Sequence, residues 1–498
     1  MSDAHDEARL QEQPRAVVAR GARGGITTLA SQAALQGIRL AGTMVLARIL
    51  VPADFGVVAI VSSILVPITA IALLGLPMAT LNAKRLSQPA KSTLFLVNAG
   101  LGALTSVALY LAAEPLATAY GDDRVADVAR WLALSPLFSG VQAQFWAHLN
   151  REMKFGRMAS IEVVSTVVGT AMGVLAALAG LGYRSIVIQV LAISGSAMIM
   201  AVFSDRWWPS RPGAWRSEVR AVMTAGQHIL GMNLLRTASR SLIVPIAGLS
   251  VPTADLGSFD KAQQQAVMPI KLTVDRLQRV VVGVMVRLDG DATAQFALYR
   301  RAYLMLSYGT VALFMLVAAL SEPLVRLLFG DGWELAADIL GVLAIGSAAR
   351  ALCQSTQWVY IGIGATRSGL TYATWSQPAV VAATLVGLPG GVMGLAIANT
   401  AAWLILWPLT TTLAARTAGW DARPLLTDSI RAVLLVGLPA YAAAKVIGIA
   451  GLGTLQTVVL GALAAVACGG LLLLVFPQGR RDFRVLHRTI KLGLSSRG

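Results

Sequence analysis

The chain has 498 residues, 56% of them apolar, and only 66 charged side chains, 41 basic and 25 acidic, about half the roughly 25% share of an ordinary soluble domain. A soluble protein of this length would lack the residues to cover its surface, and two cysteines are too few for a secreted disulfide scaffold. What remains is an all-α polytopic integral membrane protein, within which the net charge of +16 needs an explanation.

A spanning helix takes about 20 mostly apolar residues. Fourteen such segments are predicted, centred near residues 36, 68, 103, 136, 170, 194, 236, 272, 310, 347, 379, 402, 440 and 466. Residues 1–24 form a polar tail with no apolar h-region, so no signal-peptide cleavage is expected. The first span carries Arg39 and runs into Leu46-Ala47-Arg48-Ile49-Leu50-Val51-Pro52-Ala53-Asp54-Phe55-Gly56. Asp54 follows Pro and Ala and precedes a glycine by two positions, which reads as turn and helix-cap chemistry. Gly169 and Gly173 make one GxxxG in the fifth span, a packing signal. The seventh span contains Asn233, Arg236 and Arg240, and the eighth is the most polar of all.

The chain repeats itself. Ser250-Val251-Pro252-Thr253-Ala254-Asp255-Leu256-Gly257 follows the seventh span as the Pro-Ala-Asp-Phe-Gly run follows the first. Glu322-Pro323-Leu324 with Phe329-Gly330-Asp331 follows the ninth span as Glu114-Pro115-Leu116 with Tyr120-Gly121-Asp122 follows the third. Each repeat distance equals six spans, an even number, so the halves share one orientation and are parallel repeats. The expected plan is a tail (1–24), a six-helix bundle (25–205), a linker (206–221), a second six-helix bundle (222–413), a C-terminal helix pair (430–476) and a basic tail (477–498). Two bundles plus a hairpin is a transporter plan, with the substrate site expected between the halves.

Loop charges set the orientation. With a cytoplasmic N-terminus, the cytoplasmic pieces hold 27 Lys and Arg against four, Arg48, Arg124, Arg184 and Arg326, on the other side. Both termini are therefore expected in the cytoplasm, and most of the basic excess is topology. Ten basic residues remain inside spans.

The Leu46–Gly56 run is similar to the opening motif of the multidrug/oligosaccharidyl-lipid/polysaccharide (MOP) exporter superfamily, and within it the chain resembles the polysaccharide exporters and O-antigen flippases of the Wzx type. His148-Leu149-Asn150-Arg151-Glu152-Met153-Lys154-Phe155, after the fourth span, resembles that family's Arg-x-x-x-Phe loop. The resemblance extends over essentially the whole chain through the span count and the 6+6+2 plan. It implies a flippase that carries a polyprenyl-diphosphate-linked oligosaccharide across the bacterial inner membrane for O-antigen, capsule or exopolysaccharide synthesis. Membrane lipids, and polysaccharide polymerase or export proteins, are the further partners it implies.

Charges inside a span are costly and face a bundle interior or water. Around the helix axis, Lys261, Gln264, Lys271, Asp275 and Arg279 fall within an arc of about 80°, a stripe that cannot face lipid. Pro269 would kink the helix partway, and Asp275 lies four residues from both Lys271 and Arg279. Arg236 and Arg240 sit one turn apart, and Arg39 aligns with Arg240 under the repeat. Guanidinium forks match phosphate oxygens. The expected substrate-binding set is Arg39, Arg236, Arg240, Lys261, Gln264, Lys271, Asp275 and Arg279, a cationic cavity for a diphosphate-sugar head. The plainer reading of each is a salt bridge or a snorkelling side chain. Asp260, Asp275 and Glu162 are candidate proton carriers. No metal or cofactor is expected: the four histidines lack metal-ligand spacing, and no Walker A pattern suggests ATP hydrolysis.

A drug or cation exporter of the same superfamily would favour acidic cavity residues, whereas the seventh and eighth spans hold six basic and two acidic. A peptidoglycan-precursor flippase shares the diphosphate head and fits the same charges. A membrane polymerase or ligase should carry a large extracytoplasmic catalytic loop, and the longest here is only about 14 residues, near 321 to 334. No catalytic residue is therefore expected. A nucleic-acid binder would need a contiguous basic surface.

Overall fold

The computed structural model describes residues 32, 34–73, 80, 87–204, 207–211, 219–220, 222–223 and 241–484. Helices dominate, with no strand among the described residues, as a hydrocarbon environment demands of a chain that must satisfy its own backbone groups. Nine described helices are long and apolar enough to cross a membrane, and the chain is a multi-pass membrane protein. The five other expected spans have separate explanations. The first is described only from residue 34 onward and the seventh lies outside the described residues. The fourth, eighth and eleventh are helices whose polar side chains keep them out of the nine. The chain divides into two compact units, Met1–Pro245 and Ile246–Gly498.

The first unit contains α1 (34–49), α2 (Pro52–Ala72), α3 (Gln88–Leu111), α4 (Ala113–Tyr120), α5 (Asp123–Leu132), α6 (Leu134–Arg151), α7 (Phe155–Leu178) and α8 (Arg184–Ser204). Small residues let its helices touch along their backbones, which is how helices associate where lipid removes the hydrophobic drive. A Cβ on Gly102 would lie 2.6 Å from the Pro136 carbonyl oxygen, and one on Gly140 would lie 2.5 Å from that of Asn98, so α3 and α6 are in van der Waals contact there. The Gly169–Gly173 pair does the same between α7 and α8, where a Cβ on Gly173 would meet Gln189 Cβ at 2.7 Å. Asp54 sits in the first turn of α2, where a carboxylate complements the helix dipole, and is only 9% exposed. Asp122 caps α5 by accepting from the Arg124 backbone N–H at 3.0 Å.

The second unit contains α9 (Thr253–Arg287), α10 (Ala292–Ala319), α11 (Ser321–Phe329), α12 (Glu334–Gly362), α13 (Thr366–Val386), α14 (Gly391–Thr417), α15 (Arg423–Ala432), α16 (Leu438–Ile449) and α17 (Thr454–Val475). Its core joins α9, α10 and α12 through Ile270, Val274, Tyr299, Tyr303, Phe314 and Trp358. The element order follows the repeat. Short α4 and α11 occupy equivalent places, each beginning near a Glu-Pro pair and ending at a glycine with positive φ (Gly121 at 64°, Gly330 at 88°). Where the second unit has one 29-residue helix, α12, the first has α5 and α6 separated at Ala133. Trp333 is 2% exposed and packs on Phe329 at 5.2 Å.

A buried ion network not anticipated from sequence ties α10, α15 and the segment after α17. Asp428, 1% exposed, accepts from Arg300 at 2.8 Å and from Arg431 at 2.6 Å, and Arg431 reaches on to Asp482 at 2.6 Å. Tyr308 donates its hydroxyl to Asp482 at 2.8 Å. Each acid is met by more than one donor, the condition under which buried charge is tolerated. A five-residue π turn, Val433–Gly437, follows α15 and leads into α16.

Candidate functional site

The expected site residues divide into three groups. Arg236 and Arg240 lie outside the described residues. Lys261, Gln264, Lys271, Asp275 and Arg279 all belong to α9 of the second unit, and Arg39 belongs to α1 of the first.

α9 runs 35 residues without a break, and Pro269 lies inside it without ending it. One face is apolar and buried: Leu256, Phe259, Ala262, Ala266, Ile270, Val274, Val281 and Met285 are each at most 4% exposed. Gln264, Lys271, Arg276 and Arg279 are exposed. Lys261 is half-buried, 3.9 Å from the carboxylate of Asp260, which also accepts from the Gln264 side-chain amide at 2.7 Å. The side chain of Asp275 lies outside the described set. The helix is therefore amphipathic in an unusual sense, with a hydrophobic face in the protein core and a basic face turned outward. Ammonium and guanidinium groups on a span need water or protein partners, while beyond Arg279 the same outward side carries the exposed Val280, Val284 and Val286. The basic stretch can bind anions: arginine offers a planar fork and lysine a point charge.

In the first unit, α1, α6, α7 and α8 enclose a cavity of about 370 Å³. Gln32, Arg39 from α1, Gln142 and Trp146 from α6, and Glu162 and Thr166 from α7 line it. Gln32 donates its amide N–H to Glu162 at 3.3 Å. Thr166 and Ser165 donate their hydroxyls to the Glu162 carbonyl at 2.7 and 3.2 Å. Arg39 therefore shares its cavity with a carboxylate. Glu162, considered at the sequence level only as a proton carrier, is its neighbour because α1 and α7 pack together, which sequence periodicity does not report.

A larger cavity of about 690 Å³ lies elsewhere in the first unit, lined by Trp131, Phe138, Val168, Met172, Leu191 and Ile199, with Arg184 and Asp127 paired at 2.8 Å on its rim. Its walls are almost wholly apolar, so it offers space for hydrocarbon and little for a polar head. Among the described residues no group of His, Cys, Asp and Glu is placed to hold a metal.

The loop joining α6 to α7, Glu152 to Lys154, is a tight turn with Met153 in the left-handed region at φ 55°. Glu152 pairs with Lys154, and this partner holds its carboxyl below the usual range. Arg151 donates to the Thr80 carbonyl at 2.9 Å. Arg151, at the end of α6, thus fastens that helix to the segment at Thr80.

Residues 45–338 match the family model described as "Polysaccharide biosynthesis protein". The succinoglycan biosynthesis transport protein ExoT of Rhizobium meliloti is 24% identical over 74% of this chain and 74% of its own length. The lipopolysaccharide biosynthesis protein WzxC of Escherichia coli is 22% identical over 81% of this chain and 82% of its own. A solved structure of the lipid II flippase MurJ, in an inward closed conformation, superposes with a TM-score of 0.67 at 13% identity, covering 90% of this chain and 98% of that one. At that identity the likeness speaks for the fold.

Proposed function

Because the chain belongs to the polysaccharide biosynthesis protein family, we propose that it is a flippase for a polyprenyl-diphosphate-linked oligosaccharide. It carries this lipid by alternating access from the cytoplasmic to the periplasmic face of the bacterial inner membrane, supplying O-antigen, capsule or exopolysaccharide synthesis. Both termini lie in the cytoplasm, on the loop-charge argument, and the chain catalyses no bond-making step of its own.

The observation that carries this reading is the basic face of α9. Lys271 and Arg279 are exposed and Lys261 is half-buried on a helix whose other face is core. A diphosphate presents several oxygens and at least two negative charges, and hydrogen bonds to charged groups contribute about 1.5–3 kcal/mol each. Lys261, Lys271 and Arg279 hold the diphosphate, Gln264 steadies the Asp260 carboxylate beside Lys261, and the polyprenyl tail remains in lipid. Arg39 stands apart, since Glu162 opposes its charge.

The proposal is tested in a deletion strain without a redundant exporter. Surface or secreted polysaccharide is lost and the lipid-linked repeat accumulates on the cytoplasmic side. Normal polysaccharide with no accumulation overturns the proposal. Loss of cell-wall integrity with normal polysaccharide would assign the protein to peptidoglycan precursors instead.

A further inference from the structure

The cavity around Arg39 and Glu162 has a chemistry different from that of α9. We propose that it is a saccharide subsite, which takes an uncharged pyranose ring of the substrate head group. The inference rests on the flippase reading and deepens it by assigning a place to the sugar end of the head group.

Charge is the first argument. The cavity holds one guanidinium, Arg39, and one carboxylate, Glu162, so it is formally neutral. A diphosphate placed there would meet as many repelling as attracting charges, and it would displace none of the carboxylate's cost of burial. A neutral polyol has no such conflict.

Hydrogen-bonding capacity is the second. A pyranose hydroxyl both donates and accepts, and the lining supplies both functions within one cavity. Glu162 only accepts, Arg39 only donates, and the amides of Gln32 and Gln142 do both. The hydroxyls of Ser165 and Thr166 already spend their protons on the Glu162 carbonyl, so towards the cavity they present acceptor lone pairs. Trp146 adds a flat apolar surface against which the C–H face of a sugar ring can lie, while its polar edge stays available.

Size is the third. A volume of about 370 Å³ is at the lower end of the roughly 300–1,000 Å³ found for small-molecule sites. It accommodates a sugar ring and excludes a whole oligosaccharide, so the rest of the head must lie outside it.

The test uses the purified full-length protein in lipid nanodiscs and saturation-transfer NMR. The probes are D-glucose, D-galactose and N-acetyl-D-glucosamine, each with and without inorganic pyrophosphate. At least one sugar binds the wild-type protein. Its affinity falls at least tenfold in Trp146→Ala and in Gln142→Ala, the second variant guarding against misfolding of the first, and pyrophosphate does not displace it. Glu162→Gln keeps binding within about threefold, because the amide oxygen still accepts. Failure of all three sugars to bind, binding indifferent to both substitutions, or displacement by pyrophosphate overturns the subsite. No sugar binding in a protein whose deletion strain accumulates lipid-linked repeat removes the subsite alone. Normal polysaccharide in the deletion strain removes the flippase reading whatever the sugars do.

Discussion

The two units open alike and then part. Pro52 opens α2 and Pro252 immediately precedes α9, and each helix carries an aspartate in its first turn, Asp54 and Asp255. Beyond that turn α2 is 21 residues long with no basic side chain, while α9 extends to 35 and carries five, Lys261, Lys271, Arg276, Arg279 and Arg287. In the first unit the exposed Arg39 and the half-buried Glu162 line one cavity, so the cation there has a carboxylate for a neighbour. In the second, Lys271, Arg276 and Arg279 are exposed along α9. A repeated backbone plan has thus been given two chemistries, one neutral and hydroxyl-friendly, the other cationic. That asymmetry is what a substrate with a sugar end and a phosphate end requires.

Substitutions separate the buried charges of the second unit from those exposed on α9. The largest effect is expected at the buried network of the second unit. Asp428→Ala leaves Arg300 and Arg431 without their shared partner and should cost about 3–5 kcal/mol, read as a large fall in the thermal midpoint of the detergent-solubilised protein. Neutralising Lys271 and Arg279 should leave that midpoint within about 0.5 kcal/mol of wild type, as for other exposed positions. A comparable loss in both would erase the distinction between the buried and displayed charges.

The next effect belongs to the first unit. Gly140→Val forces a side chain against the Asn98 carbonyl oxygen and Gly102 Cα, which overpacks the α3–α6 contact and costs about 1–3 kcal/mol. Gly156→Ala, where a Cβ meets nothing within 4 Å, should show no loss in the same melt. The smallest effect is at a helix end outside the membrane. Asp122→Ala removes the cap of α5 and should cost about 1 kcal/mol. The Arg124 guanidinium, hydrogen-bonded to Asp122, holds that carboxyl below its usual value. Its contribution is therefore present above the unfolded value of about 3.9 and is lost as pH falls further through the folded one. Wild type should lose stability on that acid side, and Asp122→Ala should lose less across the same interval.

Much of the plan was legible because the bilayer imposes it. Hydropathy marked the nine spanning helices of the described residues, and the Pro-x-Asp and Pro-x-x-Asp runs each mark the start of a helix, α2 and α9. Gly169 and Gly173, a single GxxxG, correctly marked a close helix contact. Lys271 and Arg279 were legible as a face because helical spacing alone puts them there. What escaped was every feature made by residues distant in sequence. Arg39 was read as one of a set of cations, and α7 brings the carboxylate of Glu162 into its cavity. Arg300 reaches Asp428 across 128 positions of chain. The turn after α11 folds Trp333 onto Phe329. Periodicity describes one helix at a time, and pairing depends on which helices meet.

The central claim is that the cations of α9 engage the diphosphate of a lipid-linked oligosaccharide. It is tested most directly by reconstituting the full-length protein into proteoliposomes and measuring translocation of the host's lipid-linked repeat. Wild type should translocate it, and the Lys261→Gln/Lys271→Gln/Arg279→Gln variant should lose at least about a hundredfold, since two charge-assisted hydrogen bonds of about 1.5 kcal/mol each correspond to that factor. Translocation by the triple variant at the wild-type rate, from protein with an unchanged thermal midpoint, would contradict the account.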